Sequence, residues 1–170
     1  MIKQQTKTPI KVRKLGHVVY EVSDLERSTQ FWTEIMGFTV SDRNENGMVF
    51  LESTGDHHSI ALVPSPGKKK PERNDAKTLQ IHHWAMEVDS VETLFAARDF
   101  LQARGIPISY EGRRGPGGNI GIEFKDPDGY VVEIYCDMDQ IKEDGKSRPP
   151  EEWRRATSLE EAVNNPLPSH

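Results

Sequence analysis

The sequence has little cysteine and no long apolar run. Cys136 is the one cysteine among 170 residues, which excludes an intramolecular disulfide and metal sites built from several thiolates. No stretch approaches the ~18 consecutive apolar residues of a membrane-spanning helix. The opening residues, MIKQQTKTPIKVRK, are basic but lack the apolar segment of a secretion signal. We therefore expect a cytoplasmic protein with no membrane contact.

Positive charge is not in excess either. The chain has 22 basic and 27 acidic residues, a formal net charge of −5. Domains that bind nucleic acid usually carry a basic face, so no nucleic-acid partner is expected. Histidine is well represented, with six residues, five of them in three short stretches. Because histidine is the commonest metal ligand, these stretches are the first candidates for a site.

Two segments show the same order of predicted elements. Residues 14–64 begin with the alternating strand KLGHVVYEV, continue with a helix and finish with three short strands. Residues 79–136 repeat this order from IHHWAMEV onwards. Hydrophobic alternation predicts the strands, and the internal repeat determines the fold class. We expect an α+β fold of two tandem βαβββ modules that enclose a metal-binding cup.

The remaining segments are polar. Residues 1–13 are predicted to form an N-terminal arm, and residues 14–136 the folded domain. Residues 137–170 are predicted to form a polar C-terminal tail with short helices in EEWRRA and SLEEAVNN. In the second of these, Ser158 is the expected N-cap, with a glutamate at the capping-box position.

Three residues could hold a metal ion. Aligning GHVVYEV with HHWAMEV places His17 on His83, each on the strand face opposite the apolar residues. Alternation in the last strand places Glu133 on the corresponding face. Two imidazoles and one carboxylate from three strands would form a facial triad, which leaves about three positions of an octahedral ion open.

The motifs GHVVYEVSDLERSTQFWTEIMGF, HHWAMEV and DPDGYVVEIY resemble those of the vicinal oxygen chelate superfamily. The resemblance covers residues 14 to about 140. It implies paired βαβββ modules, and it maps the superfamily's metal-ligand positions onto His17, His83 and Glu133.

The branch of the superfamily depends on one further position. Aligning SIALV with VVEIY puts Ala61 opposite Glu133, so the fourth protein ligand usual in glyoxalase I-like members is absent. Three ligands resemble the type I extradiol catechol dioxygenases. That resemblance implies iron(II), with manganese(II) as the alternative, and a small aromatic substrate with dioxygen. Fosfomycin-resistance-type transferases also use three ligands, so this step leaves both branches open.

The same resemblance implies three catalytic residues. It maps the acid–base histidine of the extradiol enzymes onto His58, although strict alternation would put that side chain on the face opposite Ala61. Arg114 stands where the family has a histidine near the substrate, and it could donate a hydrogen bond or bind a substrate carboxylate. Glu123 stands where the family has a tyrosine; the alternative is a solvated strand residue.

Two other classes of function fit the same pattern. One is a metal-dependent isomerase, epimerase or thiol transferase that needs no oxygen, for which Glu123 would be a general base. The other is a drug-binding resistance protein that uses the cup without metal. A homodimer is expected in each case, as the commonest assembly of small soluble chains.

Overall fold

Each half of the chain forms one four-stranded mixed sheet with a helix after its first strand. The computed structural model describes residues 9–10, 12–70, 79–141 and 145–169. It divides the chain into two units, Met1–Lys68 and Lys69–His170. The strands are β1 Val18–Val22, β2 Thr39–Arg43, β3 Val49–Glu52, β4 Ile60–Pro64, β5 Trp84–Glu87, β6 Ile108–Arg113, β7 Ile120–Lys125 and β8 Val131–Cys136. The α-helices are α1 Leu25–Gln30, α2 Val91–Ala103 and α3 Leu159–Asn164. The helix predicted in EEWRRA is instead a short 3₁₀ turn, Pro150–Glu152.

The two sheets have the same topology. Their strand orders are β1-β4-β3-β2 and β5-β8-β7-β6, with the first strand of each unit parallel to the last and the other pairs antiparallel. The α+β fold of two βαβββ modules is thereby confirmed. The predicted boundaries at 1–13, 14–136 and 137–170 stay a prediction, and most of the predicted arm lies outside the described residues.

The helices begin where side chains satisfy their first free backbone N–H groups. Asp24, Ser90 and Ser158 each accept a hydrogen bond from the backbone N–H three residues later, at 3.1, 3.3 and 3.0 Å. The cap at Ser158 was predicted from the sequence. Short polar side chains at these positions thus determine where the helices start.

The first helix of unit 1 widens after α1 into a π-helical turn, Phe31–Ile35. The sequence predicts one continuous α-helix here. In the structure, both Phe31 and Trp32 are buried, and the Trp32 indole N–H donates to the Tyr20 hydroxyl at 2.7 Å. The widened turn brings two adjacent aromatic side chains into the core, where strict α-helical periodicity would favour one.

Three histidines expected inside strands instead lie just before them. His17 precedes β1, whose pairing with β4 begins at Val18. His83 precedes β5, whose pairing with β8 begins at Trp84. His58 lies two residues before β4 at Ile60. Sequence alternation shows which side chains share a face, but cross-strand hydrogen bonding determines where a strand begins.

Within unit 2, the described part of the C-terminal segment packs against the sheet around one buried arginine. Arg113 exchanges backbone hydrogen bonds with Ala156 at 2.9 and 3.0 Å, which adds the segment to the free edge of β6. The Arg113 guanidinium donates to the carbonyl oxygens of Gly118, Arg154, Ala162 and Asn165 at 2.9–3.1 Å. The segment is therefore tied to the sheet that carries Glu123 and Glu133.

Cys136 is a core residue. It is 1% exposed, and burial, with the neighbouring Asp137 carboxylate, raises the pKa of its thiol to about 12. Since the thiolate is the reactive form, the burial and raised pKa of Cys136 disfavour thiol chemistry at neutral pH.

No helix within the described residues is both long enough and apolar enough to span a membrane.

Candidate metal centre

Two glutamates face each other across the β7–β8 strand pair. Glu123 lies directly opposite Glu133 in the antiparallel ladder, so both side chains project from the same face of the sheet. They are 3% and 8% exposed. The interpretation of Glu123 as a solvated strand residue is therefore wrong, because the sheet and its surroundings bury this carboxylate.

The Glu133 carboxylate is held from two sides. The Asn119 side-chain amide donates to Oε1 at 3.1 Å. Gly121 lies beneath the carboxylate, since a Cβ built there would come within 2.7 Å of Oε1. Gly121 and Glu123 lie on one face of β7, and Asn119 immediately precedes this strand. One segment thus supplies a hydrogen-bond donor, space for the Glu133 carboxylate and a second carboxylate.

His83 approaches the same carboxylate from the residue before β5. Its Nε2 lies 3.1 Å from Glu133 Oε2, and its Nδ1 lies 2.6 Å from Nδ1 of the exposed His82. A contact at the second ring nitrogen orients a ligating imidazole and selects its tautomer. His82 therefore supports His83 from the surface.

Ligand atoms of His83, Glu123 and Glu133 all lie within 4.8 Å of one another. One imidazole nitrogen and two carboxylates form a hard nitrogen and oxygen donor set, which suits Mn²⁺, Fe²⁺ or Zn²⁺. The residues present therefore fit a divalent ion. The structure thus places His83 beside Glu133, two of the three predicted ligands, and brings Glu123, a predicted catalytic residue, next to them.

Burial dominates the electrostatics of Glu133. It raises the pKa of this carboxyl group above its ordinary value, because the charged form loses hydration. His83 acts in the opposite direction, and the facing Glu123 raises the pKa further. Arg114 and the Asn119 hydrogen bond lower it. A cation at this point would favour the charged carboxylate for the same electrostatic reason.

Arg114 partners the second glutamate. Its Nη2 donates to Glu123 Oε1 at 2.6 Å, and its guanidinium lies 3.6 Å from the centre of the Tyr110 ring. About half of the Arg114 side chain stays exposed. The guanidinium thus neutralises Glu123 on one side and keeps donors free on the other.

Unit 1 contains a group of histidine and phenylalanine rings. The His58 ring centre lies 4.5 Å from that of His17 and 5.1 Å from that of Phe50, and Nδ1 of His57 lies 3.0 Å from Nδ1 of His58. Burial, with His17 and His57, lowers the pKa of His58. Its position before β4 lets His58 contact His17 despite the alternation that would separate its side chain from Ala61.

The strand registers show which residues are equivalent in the two units. Ala85 pairs with Glu133 in unit 2, and Val19 pairs with Ala61 in unit 1. Val19 and Ala85 each lie two residues after a histidine. Ala61 therefore occupies the position of Glu133, as the sequence alignment predicted, and offers no ligand.

The family model described as the Glyoxalase/Bleomycin resistance protein/Dioxygenase superfamily matches residues 14–134. The chain belongs to this superfamily. This confirms the family predicted from the motifs. The match ends before the C-terminal segment that is tied to β6.

Relatives within the superfamily carry different names. The chain is 32% identical over 142 residues to a manganese-dependent 2,3-dihydroxybiphenyl 1,2-dioxygenase of Geobacillus genomosp. 3, over 81% of this chain and 41% of that protein. It is also 32% identical over 130 residues to a probable lactoylglutathione lyase of Vibrio cholerae, over 71% of this chain and 88% of that protein. The chain thus spans about two fifths of that dioxygenase.

A solved structure has the same fold. The crystal structure of a glyoxalase/dioxygenase from Nostoc punctiforme aligns with a TM-score of 0.62 and 24% identity, over 79% of this chain and 97% of that one. Several relatives have enzyme names, which supports the classification of this superfamily member as an enzyme.

Sequence reasoning missed Asn119 and Gly121 as site residues. Their signal is the period of two in Asn119, Gly121 and Glu123, which predicts a common face of one extended segment. What the period could not reveal is the register of β7 against β8, which brings that face onto Glu133.

Replacing Gly121 by alanine should weaken metal binding by about 10–100-fold, the range for disturbing residues that orient a ligand. The added Cβ would displace the Glu133 carboxylate, 2.7 Å away. Isothermal titration with Mn²⁺ measures the affinity. Ile122→Val is the control, because its side chain points to the opposite face and should change stability alone. Unchanged Mn²⁺ affinity in Gly121→Ala would show that the space at Gly121 does not determine the position of the Glu133 carboxylate.

Proposed function

We propose that the chain is an extradiol ring-cleaving dioxygenase that inserts both atoms of dioxygen into a catechol-type aromatic substrate. The proposed ligands are His17, His83 and Glu133, on iron(II) or manganese(II). The observation that carries the proposal is the paired His83 and Glu133, with Ala61 at the equivalent position of unit 1. The dioxygenase names among the relatives support it.

A bound divalent ion would supply a positive centre that acidifies a chelated hydroxyl and keeps two reactants side by side. The protein's contribution is to keep the ligands in place. Asn119 and Gly121 define the position of the Glu133 carboxylate, and His82 orients His83.

His58 is the proposed proton carrier. Its half-buried ring contacts His17, and its lowered pKa favours the neutral imidazole that a general base needs at neutral pH. His58 would accept the proton of the second catechol hydroxyl and later return it to the ring-opened product.

Arg114 is proposed to bind the substrate's oxygen atoms or a substrate carboxylate. Its guanidinium is positioned by Glu123 and the Tyr110 ring, while its half-exposed side chain keeps donors available. Since guanidinium donors match planar carboxylates, catechols that carry a carboxylate should bind better than those without one.

The test is anaerobic reconstitution with iron(II) or manganese(II), followed by addition of catechols and air. We expect oxygen uptake in equal stoichiometry with a yellow ring-fission product. A matched sample of Glu133→Gln should show neither. Absence of both signals across simple, aryl-substituted and carboxylated catechols, in protein shown to contain metal, would exclude the proposal.

A second candidate is a metal-dependent lyase or isomerase that needs no oxygen. The buried Glu123 beside Glu133 favours it, because a carboxylate next to the metal could remove a substrate proton. The lactoylglutathione lyase name among the relatives agrees. Turnover of a thiol-adduct or 2-oxo substrate without air, lost in Glu123→Gln, would establish this candidate instead.

A further inference from the structure

Glu123 lies close to His83 and Glu133, the two proposed ligands of unit 2. We propose that Glu123 is itself a ligand of the metal ion, so that unit 2 supplies three protein ligands: His83, Glu123 and Glu133. This inference rests on the metal binding required by the proposed function, but it does not depend on the oxygen chemistry.

The strand register is the first observation that supports this proposal. Glu123 and Glu133 are directly opposed on β7 and β8, so their side chains leave the sheet together. With His83, their ligand atoms fall within 4.8 Å. A single ion that contacts His83 and Glu133 is therefore also within reach of Glu123.

The net charge of this buried group is the second. Like charges directly opposed on two strands are destabilising, and burial increases that cost. Arg114 supplies one positive charge, and a ligating His83 must be neutral. Two carboxylates and one guanidinium leave a net charge of −1 in this buried group. A divalent cation between the carboxylates would reverse the sign and convert their repulsion into attraction.

The side-chain hydrogen bonds to the two glutamates are the third. Oε1 of Glu123 accepts from Arg114 at 2.6 Å, and Oε1 of Glu133 accepts from Asn119 at 3.1 Å. Each carboxylate is therefore oriented through one oxygen by a side-chain donor. Metal-ligating carboxylates are commonly held in this way. The proposal assigns the second oxygen, Oε2, of each glutamate to the ion.

The consequence concerns the reactions that the site can accommodate. The three ligands from unit 2 occupy three of the six positions of an octahedral ion. A substrate that chelates through two oxygens would fill two of the remaining positions and leave one for a second reactant.

The test is titration of metal-free protein with Mn²⁺, followed by the EPR signal of free Mn²⁺ and by calorimetry, without substrate. Glu123→Gln should bind Mn²⁺ about 10–100-fold more weakly than the wild type, or worse, since ligand loss costs at least as much as loss of an orienting partner. Glu111→Gln is the matched control. Glu111 lies on β6 with its carboxylate 3.5 Å from Arg98, on the opposite sheet face, and its loss should leave the affinity unchanged.

A double variant separates ligation from simple electrostatics. Glu123→Gln with Arg114→Gln has the same net charge as the wild-type site. If Glu123 is a ligand, affinity stays low in the double variant. Recovery of the wild-type affinity in the double variant would overturn this inference. Unchanged affinity in the folded Glu123→Gln single variant would do the same, and neither result would affect the proposed function. Failure of the wild type to bind Mn²⁺ or Fe²⁺ would overturn both this inference and the proposed function.

Discussion

Replacing Arg113 by alanine is expected to lower the free energy of unfolding by about 3–5 kcal/mol. The guanidinium is 3% exposed, and it donates to four carbonyl oxygens of the β6–β7 connection and the C-terminal segment. Each buried acceptor left without a donor costs ~1–3 kcal/mol, and relaxation with entry of water recovers part of the sum. Urea denaturation followed by circular dichroism measures the change.

Arg104→Ala is the control for this experiment. Arg104 follows α2 and is exposed, and its guanidinium donates to the backbone oxygen of Phe100 and lies over the Phe100 ring. Its loss should therefore cost less than ~1 kcal/mol. Arg113→Lys should fall between the two, because one ammonium cannot satisfy four carbonyls in a fork. Equal stability of Arg113→Ala and Arg104→Ala would show that the C-terminal segment is not held by this side chain.

Replacing His58 by glutamine is expected to lower kcat of ring cleavage by about 10²–10⁴-fold, the usual contribution of a general acid–base. Glutamine keeps much of the volume and polarity of the ring but cannot take up the substrate proton. Metal affinity should stay near that of the wild type, since His58 is not among the proposed ligands. Steady-state oxygen uptake with metal-loaded protein gives kcat and KM separately.

His57→Gln is the matched control, because His57 is the exposed neighbour of His58 and lies 3.7 Å from Asp42. Its substitution should reduce kcat much less. A drop of equal size in both variants would assign the effect to the loop as a whole. Activity of His58→Gln within a few-fold of the wild type would contradict the assignment of His58 as proton carrier.

Local sequence signals predicted those features that depend on interactions between residues a few positions apart. Asp24, Ser90 and Ser158 begin helices because a short side chain can satisfy nearby N–H groups, whatever the rest of the chain does. The alternation around His83 and Glu133 likewise predicted their common face. The π-helical turn at Phe31–Ile35 was missed, since it arises from the burial of two adjacent aromatic rings.

The environment of Glu123, in contrast, could not be predicted from local sequence signals. From the sequence, this residue could be a solvated strand residue or a catalytic group. Its burial against Glu133 follows from the register of β7 on β8, and its neutralisation follows from the Arg114 side chain returning to the same face. Neither contact has a local sequence signal, because each joins residues nine or more positions apart.

From the sequence alone, the repeated strand–helix–strand order determined the fold class, and the resemblance of GHVVYEV, HHWAMEV and DPDGYVVEIY determined the superfamily. The histidines and Glu133 predicted a nitrogen and oxygen donor set. Only the tertiary structure decided that Glu123 joins His83 and Glu133, that His58 lies against His17, and that Arg113 ties down the C-terminal segment. Periodicity and capping act over a few residues. Strand register and the docking of distant segments depend on the free energy of the whole packed unit.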